Sequence, residues 1–519
     1  MKNNIIQMKN YSTYFFIFFL MFGTIVRAQS EEDALRYAKH EIKGSARFTG
    51  MSGAFSSLGG DMSALALNPA GATTFSTNRF SATLSYFGKN NQSTYFGAST
   101  DAEYSSIDHS LVSFDQIGGV MVYKSDVSKW NKIAFAFNYN KEANYGSMTV
   151  IEGKNPNHTI VDYFLGYADG IKKNDLDLGN NETITGVYKE LGEASGYGAQ
   201  QAFLGYQAQV INPVSNDANN TQYNSNATFS GPLTHFNQLR KGGNKSRYDF
   251  TFAATFKDKL QLGFAYSSYD ISYTDANTLK ESDYASSSDL KDVKFVNKLR
   301  VTGEGKSVKF GAIYRPMKPL RLSLAYHSPE WLDIEENLTQ SLYTSFADNS
   351  SIQLEPDVES AFAPYRVITP SKVIAGASYV IKKSGLISVD YPYQNYQNLR
   401  FKENENEDSN YFDTVNEYMS DNFQAVHKLN VGVEMRFEDL SLRGGGFLST
   451  SPYKNAKEYR APKGYSLGLG YDFGDIEADL SFMSVREKTD HRLLSSGISD
   501  MAQVNSVKNN YLFTLRYNF

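Results

Sequence analysis

Apolar and polar residues alternate from Asn510 to Phe519. Tyr511, Phe513, Leu515, Tyr517 and Phe519 fall on one face, and Asn510, Thr514, Arg516 and Asn518 on the other. A β-strand sends successive side chains to opposite faces, so this pattern spells a strand with one apolar and one polar side. The period recurs along the chain. Ile133, Phe135, Phe137 and Tyr139 interleave with Ala134, Ala136 and Asn138; Leu260, Leu262, Phe264 and Tyr266 with Gln261, Gly263 and Ala265. Leu429, Val431, Val433, Met435 and Phe437 interleave with Asn430, Gly432, Glu434 and Arg436. Ile476, Ala478, Leu480 and Phe482 do so with Glu477, Asp479 and Ser481.

The pattern predicts fourteen strands, near 79–87, 116–124, 131–140, 246–256, 259–269, 300–315, 319–327, 371–381, 385–394, 427–437, 440–448, 463–473, 475–485 and 509–519. Short connections (125–130, 257–258, 316–318, 382–384, 438–439, 474) alternate with long ones (88–115, 141–245, 270–299, 328–370, 395–426, 449–462, 486–508). That rhythm suits an all-β transmembrane antiparallel β-barrel of about 14 strands, with short periplasmic turns and long extracellular loops. In lipid only a closed barrel satisfies every backbone group of a strand. The competing fold, a secreted protein of packed sheets, also alternates, but it does not call for the long–short rhythm.

Residues 30–78 break the pattern. Glu31 to Ala38 reads as a short helix, and a run of small residues follows, with Gly44, Gly50, Gly53, Gly59 and Gly60. Asn68-Pro69-Ala70-Gly71 reads as a turn. Phe48, Met51, Phe55, Leu58, Leu65 and Leu67 call for burial, which a plug folded inside the barrel lumen provides and a periplasmic linker does not. Three segments result: an export signal over 1–28, a hatch over 29–78 and a barrel over 79–519, with its largest loop near 141–245.

The first of these has Lys2 and Lys9 before a short apolar run from Phe15 to Val26, and Val26-Arg27-Ala28 offers a cleavage site before Gln29. This is the layout of a signal peptide. No later run of about 20 apolar residues exists for a helical membrane span. Net charge is −5, or about −8 once the three basic groups of residues 1–28 are removed. A mildly acidic chain without a basic tract has no footprint for nucleic acid. Cysteine is absent, which excludes disulfides, thiolate metal sites, a cysteine nucleophile and a lipidated N-terminal cysteine.

Against that background Gly44-Ser45-Ala46-Arg47, Gly50-Met51-Ser52-Gly53-Ala54-Phe55, Asp61 and Asn68-Pro69-Ala70-Gly71 resemble the hatch of FadL-type outer-membrane transporters. That family includes toluene-channel relatives and many members in Bacteroidetes-like genomes. Tyr314-Arg315-Pro316, Leu320–Pro329, Thr369–Lys372 with Gly376–Tyr379, Asp390-Tyr391, Tyr396 and Lys428–Glu434 resemble its later strands. The resemblance implies a fourteen-strand barrel with an N-terminal plug. It also implies passive uptake of hydrophobic molecules, such as long-chain fatty acids or aromatic hydrocarbons, released sideways at a kinked third strand. Two stretches resemble that kink: one holding Asn138 and Tyr139, the other Asn144, Tyr145 and Gly146. The resemblance further implies no cofactor.

Other chemistry is thin. The seven histidines are scattered, with no pair at metalloprotease spacing, and no Gly-x-Ser-x-Gly elbow is present. No enzymatic role is expected. His327 and His427 fall at strand ends, where a half-exposed interfacial position is expected. Gly305-Lys306-Ser307 lacks the first glycine of a phosphate loop and reads as strand. The acidic run Glu403–Asp408 reads as a solvated loop. Aromatic clusters at Tyr163–Tyr167 and Tyr197–Tyr206 fit either helices of a capture groove or a self-packed lid. Tyr511, Phe513, Leu515, Tyr517 and Phe519, a terminal strand ending in an aromatic residue, look like the signal read by the barrel-assembly machinery. The expected partners are a hydrophobic small molecule, outer-membrane lipid and that machinery, with the barrel a monomer because closure leaves no free strand edge. The alternative is a surface ligand-binding or structural barrel engaging lipid, a haem-like ligand or a protein.

Overall fold

The structure is a computed structural model and describes residues 30–105, 113–126, 128–403, 412–455 and 459–519. The export signal and most of the acidic run lie outside the described residues.

Fourteen strands close into an antiparallel barrel: β1 (Arg79–Tyr95), β2 (Ser113–Lys124), β3 (Trp130–Asn144), β4 (Leu233–Phe256), β5 (Leu260–Ser282), β6 (Leu290–Met317), β7 (Leu320–His327), β8 (Lys372–Ile381), β9 (Gly385–Asn395), β10 (Ala425–Phe437), β11 (Leu440–Ser449), β12 (Tyr459–Asp472), β13 (Ile476–Arg492) and β14 (Met501–Asn518). The ring closes where β14 pairs with β1 from Asn518↔Arg79 to Gln503↔Thr94. Each strand overlaps one of the segments that alternation marked, several of which run one residue past it.

Outward positions carry the apolar side chains, as on β14, where Tyr511, Phe513, Leu515 and Tyr517 are exposed and Asn510, Leu512, Thr514 and Arg516 buried. Without water in the bilayer such exposure is favourable, and the outward ring of Leu, Ile, Tyr and Phe forms the lipid-facing belt. The barrel is therefore that of an outer-membrane protein.

Several strands overrun the membrane. A tilted spanning strand needs about 9–11 residues, yet β4, β5 and β6 hold 24, 23 and 28. On β5 the outward apolar series ends at Tyr266, and Asp270, Ser272 and Thr274 continue outward above it. The upper part of β6, Leu290 to Lys306, pairs with a strand at Trp331–Phe346 instead of β7. The expected long loops at 141–245, 270–299, 328–370 and 486–508 are thus partly wall: they contain strand because sheet pairing continues past the lipid boundary.

Inside sits the N-terminal segment. Helix α1 (Glu31–Ala38) starts at a capping box in which Ser30 and Asp33 bond reciprocally. Helix α2 (Ala46–Gly50) is capped by the Ser45 side chain. A short 3₁₀ turn at Pro69–Thr74 is capped by Asn68. Wall glycines let this segment come close. A Cβ at Gly311 would overlap Asn68 Oδ1, and one at Gly376 would overlap Ser56 Oγ. Asp390 of β9 accepts hydrogen bonds from the Phe55 and Ser56 N–H groups, both at 2.8 Å, and from Ser56 Oγ at 2.7 Å.

Candidate functional site

Two apolar clusters follow each other down the same strands. The outer one is built on three helices, α3 (Ile160–Ala168), α4 (Ile184–Ser195) and α5 (Tyr197–Gln207), packed on Leu279 of β5, Phe295 of β6 and Leu342. The aromatic clusters of 141–245 are therefore helical, and their Tyr163, Phe164, Phe203 and Leu204 are buried against one another and the wall. Glu281 holds α3 from below, accepting from the Ile160 N–H at 2.8 Å and facing His235 Nε2 at 2.7 Å.

The inner cluster encloses α1. Tyr269, Ile271 and Tyr273 of β5, Val301 of β6, Leu332 and Ile334 contribute from one side. Tyr365, Tyr396, Phe401 and Met419, the last on α6 (Asp413–Asn422), also join it. Leu35, Tyr37 and Ala38 fill its centre. Arg36 lies over the Tyr273 ring, 4.0 Å from the centroid, and pairs with Asp33 at 2.6 Å.

Beneath α1 the lumen turns polar. His40 Nδ1 is 2.7 Å from Glu142 Oε1, Arg247 reaches the same carboxylate at 2.8 Å, and Lys245 reaches Glu330 at 2.6 Å. Asp249 pairs with Arg247 at 2.9 Å and Lys309 at 2.8 Å. Burial, aided by Lys372, holds the His40 imidazole below its usual value, against the pull of Glu142 and Glu330. His40, Glu142 and Glu330 bring one ligand atom each within 4.8 Å of one another, a geometry open to a cation. Lys245, fully buried, sits 2.6 Å from Glu330 and 3.5 Å from Glu142 and supplies the positive charge itself. The set fits an internal ion pair better than a divalent ion, which would face this ammonium at close range.

Glu142 reaches the lumen through a bulge. The β3–β4 register slips between Lys141 and Ala143, so Glu142 is the extra residue. The β2–β3 ladder stops at Gln116↔Asn140, and β3 itself stops at Asn144. Above that level the wall changes hands. The hairpin return Ala98–Ser105 pairs with β1, and Ser147–Asn155 pairs with β4. Among the described residues no backbone ladder joins these two. Side chains reach across instead: Thr100 of the hairpin return donates to the Val150 carbonyl at 2.6 Å, and Asn91 of β1 donates to the Met148 carbonyl at 2.6 Å. Gly146 lies against the Tyr104 ring, and Tyr145 packs edge-on to Tyr273 at 5.3 Å, on the margin of the α1 chamber. By contrast Asn138 and Tyr139 stand in unbroken ladders on both sides.

Below the polar layer the hatch seals against the wall. Arg47, Glu434, Arg443, Asp479, Arg516, Glu477 and Arg79 form a continuous ion-pair chain with steps of 2.5–2.8 Å. Gly44 and Gly53 adopt positive φ, which favours glycine, while Gly50 meets Gly468 and Gly71 meets Gly59 at close range. Asn68 bonds the Ser56 and Ala312 carbonyls, and Pro69 and Ala70 pack on Gly263.

His327 departs from its expectation. It is buried, with Nε2 2.9 Å from the Leu67 carbonyl, because its position falls on the inward phase of β7. His427 is exposed, with Nδ1 2.6 Å from Tyr391 Oη. Sequence reasoning passed over His40, Glu142, Lys245 and Glu330. One signal was present: Lys245, Arg247 and Asp249 share the inward phase of a strand whose Tyr248 and Phe250 face out.

No family model matches the chain, and no curated protein matches it in sequence. Among solved structures, a FadL homologue from Pseudomonas aeruginosa is similar over 92% of this chain and 98% of its own, with a TM-score of 0.51 at 10% identity. The fold is that of the FadL homologues. The toluene transporters TodX of Pseudomonas putida and TbuX of Ralstonia pickettii align over 92% of this chain and 99% of theirs, at 12% identity and a TM-score of 0.48.

Proposed function

We propose that this protein admits hydrophobic molecules, such as long-chain fatty acids, across the outer membrane by passive diffusion. They enter through the α3–α5 region, occupy the chamber around α1 and leave sideways at the break beyond β3. One observation carries this reading: the apolar chamber reaches the wall at Tyr145, where backbone pairing lapses, while the route straight down meets charged residues and the hatch. An apolar solute finds lower free energy sideways, toward the outer edge of the lipid belt, than down through buried ion pairs. The gradient of apolar sites needs no cofactor and no energy coupling.

A second reading is a surface barrel that binds an apolar ligand without passing it on. The charged layer under α1 favours it, since it closes the lumen with side chains from hatch and wall together.

Uptake into liposomes separates the two. Labelled long-chain fatty acid and a small sugar are compared, with a control protein to subtract spontaneous crossing. Protein-dependent entry of fatty acid but not sugar supports transport. Binding without entry supports the second reading, and sugar entry through the intact protein would replace both with a porin.

A further inference from the structure

We propose that the outer face of β12 and β13 binds the phosphate groups of an outer-leaflet lipid. The lipid is a multiply acylated glycolipid with two phosphates, and its chains lie in an apolar groove directly below. The inference concerns the lipid-facing surface and does not depend on the transport reading.

The face is built in transverse rows, because residues opposite each other in an antiparallel ladder point to the same side of the sheet. Leu84, Phe513, Leu480 and Leu469 stand abreast across β1, β14, β13 and β12. Tyr511 and Phe482 form part of the row above. Together these side chains line an open groove of about 810 Å³ on the outside of the barrel. The next row up brings Asn509, Ser484 and Tyr465 level with one another. Two rows of cations follow, Lys463 opposite Arg486 and then Arg460 opposite Lys488. On these strands the rows climb toward the long loops, which is the extracellular side. Apolar, then polar, then cationic is the order of tails, linkage and phosphate in a lipid lying along the wall.

Two features mark the cations as placed for an anion. The β12–β13 register slips between Arg460 and Lys463, so β12 carries an extra residue there. In regular register Ala461 would face Lys488; the slip puts Arg460 in that position instead. Like charges directly opposite each other in a sheet are destabilising, yet two such pairs follow one another here. Arg460, Lys463 and Arg486 are exposed. Among the described residues none of the four cations forms an ion pair. Asp490, two residues above Lys488 on the same phase, forms none either. The patch is not a general property of the rim, since above the belt on β5 and β6 two acids, Asp270 and Glu304, stand opposite each other.

Charge complementarity names the head group. Cross-strand Cβ atoms lie about 5 Å apart, so each lysine–arginine pair can close on one phosphate, with the guanidinium bonding two of its oxygens. The two pairs are two residues apart along β13, or about 7 Å, and together take two phosphates. A lipid with a single phosphodiester fills half of such a site.

The test titrates the detergent-purified protein with bisphosphorylated lipid A and reads bound lipid by native mass spectrometry. Unheated gels confirm that each variant is folded. Wild type should bind at least about tenfold more tightly than R460Q/K463Q/R486Q/K488Q, given the pull of each basic group near a lipid surface. K298Q/K306Q, which removes two exposed cations from β6, should bind like wild type. The charge-preserving R460K/K463R/R486K/K488R should bind as well. Lipid A stripped of its phosphates should bind wild type as weakly as lipid A binds the glutamine variant. Equal binding to wild type and the glutamine variant, or no loss when the phosphates are removed, would overturn the proposal. Phosphatidylglycerol binding as tightly as lipid A would overturn the glycolipid assignment. Displacement of the lipid by inorganic phosphate would make this a site for free anions and overturn the lipid.

Discussion

Arg47 of the hatch grips Glu434 of β10 with two hydrogen bonds, Nε to Oε2 at 2.8 Å and Nη2 to Oε1 at 3.0 Å, and Glu434 is fully buried. This planar two-point contact fixes the hatch in rotation as well as position. Arg436 and Arg443 share the same carboxylate, so Glu434 keeps counter-charge when Arg47 is lost. We expect R47A to weaken hatch docking by about 1.5–3 kcal/mol, the range for a hydrogen bond to a charged group. Sugar influx into vesicles should rise measurably, with the barrel still shifting on unheated gels. E434A, which takes the partner from Arg47 and leaves Arg443 with Asp479 alone, should be the more severe change.

The glycines of the wall make a paired prediction. A side chain at Gly311 or Gly376 would overlap the hatch, whereas nothing lies within 4 Å of a Cβ at Gly444. G311V and G376V should expose the hatch to protease. G444V should match wild type, since it only adds apolar surface toward lipid. Equal behaviour of all three would refute the seating role of the glycines.

His40 gives the upper chamber a pH dependence of definite sign. Its imidazole is held below the usual value while the segment is docked. A base whose pKa is lowered in the docked state contributes stability fully above its free value, near 6.5, and loses it as pH falls toward the lowered value. The protection of α1 amides against hydrogen exchange, taken relative to the intrinsic exchange rate at each pH, should therefore fall as pH drops below about 6.5. H40N should remove that step.

At the wall break, Tyr104 covers Gly146. If molecules leave there, Y104A should raise fatty-acid entry into vesicles several-fold without admitting sugar, because the hatch below is untouched. Unchanged fatty-acid flux would move the exit elsewhere.

Alternation was enough to place all fourteen wall strands, because a barrel in lipid forces the outward phase to be apolar and the inward phase to pack or solvate in the lumen. The same logic identified the hatch by its lack of period and its small residues, and marked α1 and the turn at Asn68. Alternation did not show where strands end, since above the membrane the outward face becomes polar while pairing continues, as on β5 beyond Tyr266. Nor could it show what meets what. Period two fixes the face of a residue, whereas register, the extra residue at Glu142 and the path of the hatch fix its partners. His40 meets Glu142 across 102 positions, and Lys245 meets Tyr37 across 208. Those encounters, which put α1 in an apolar chamber over a buried lysine beside a break in the wall, arise only when the sheet has closed around the segment that precedes it.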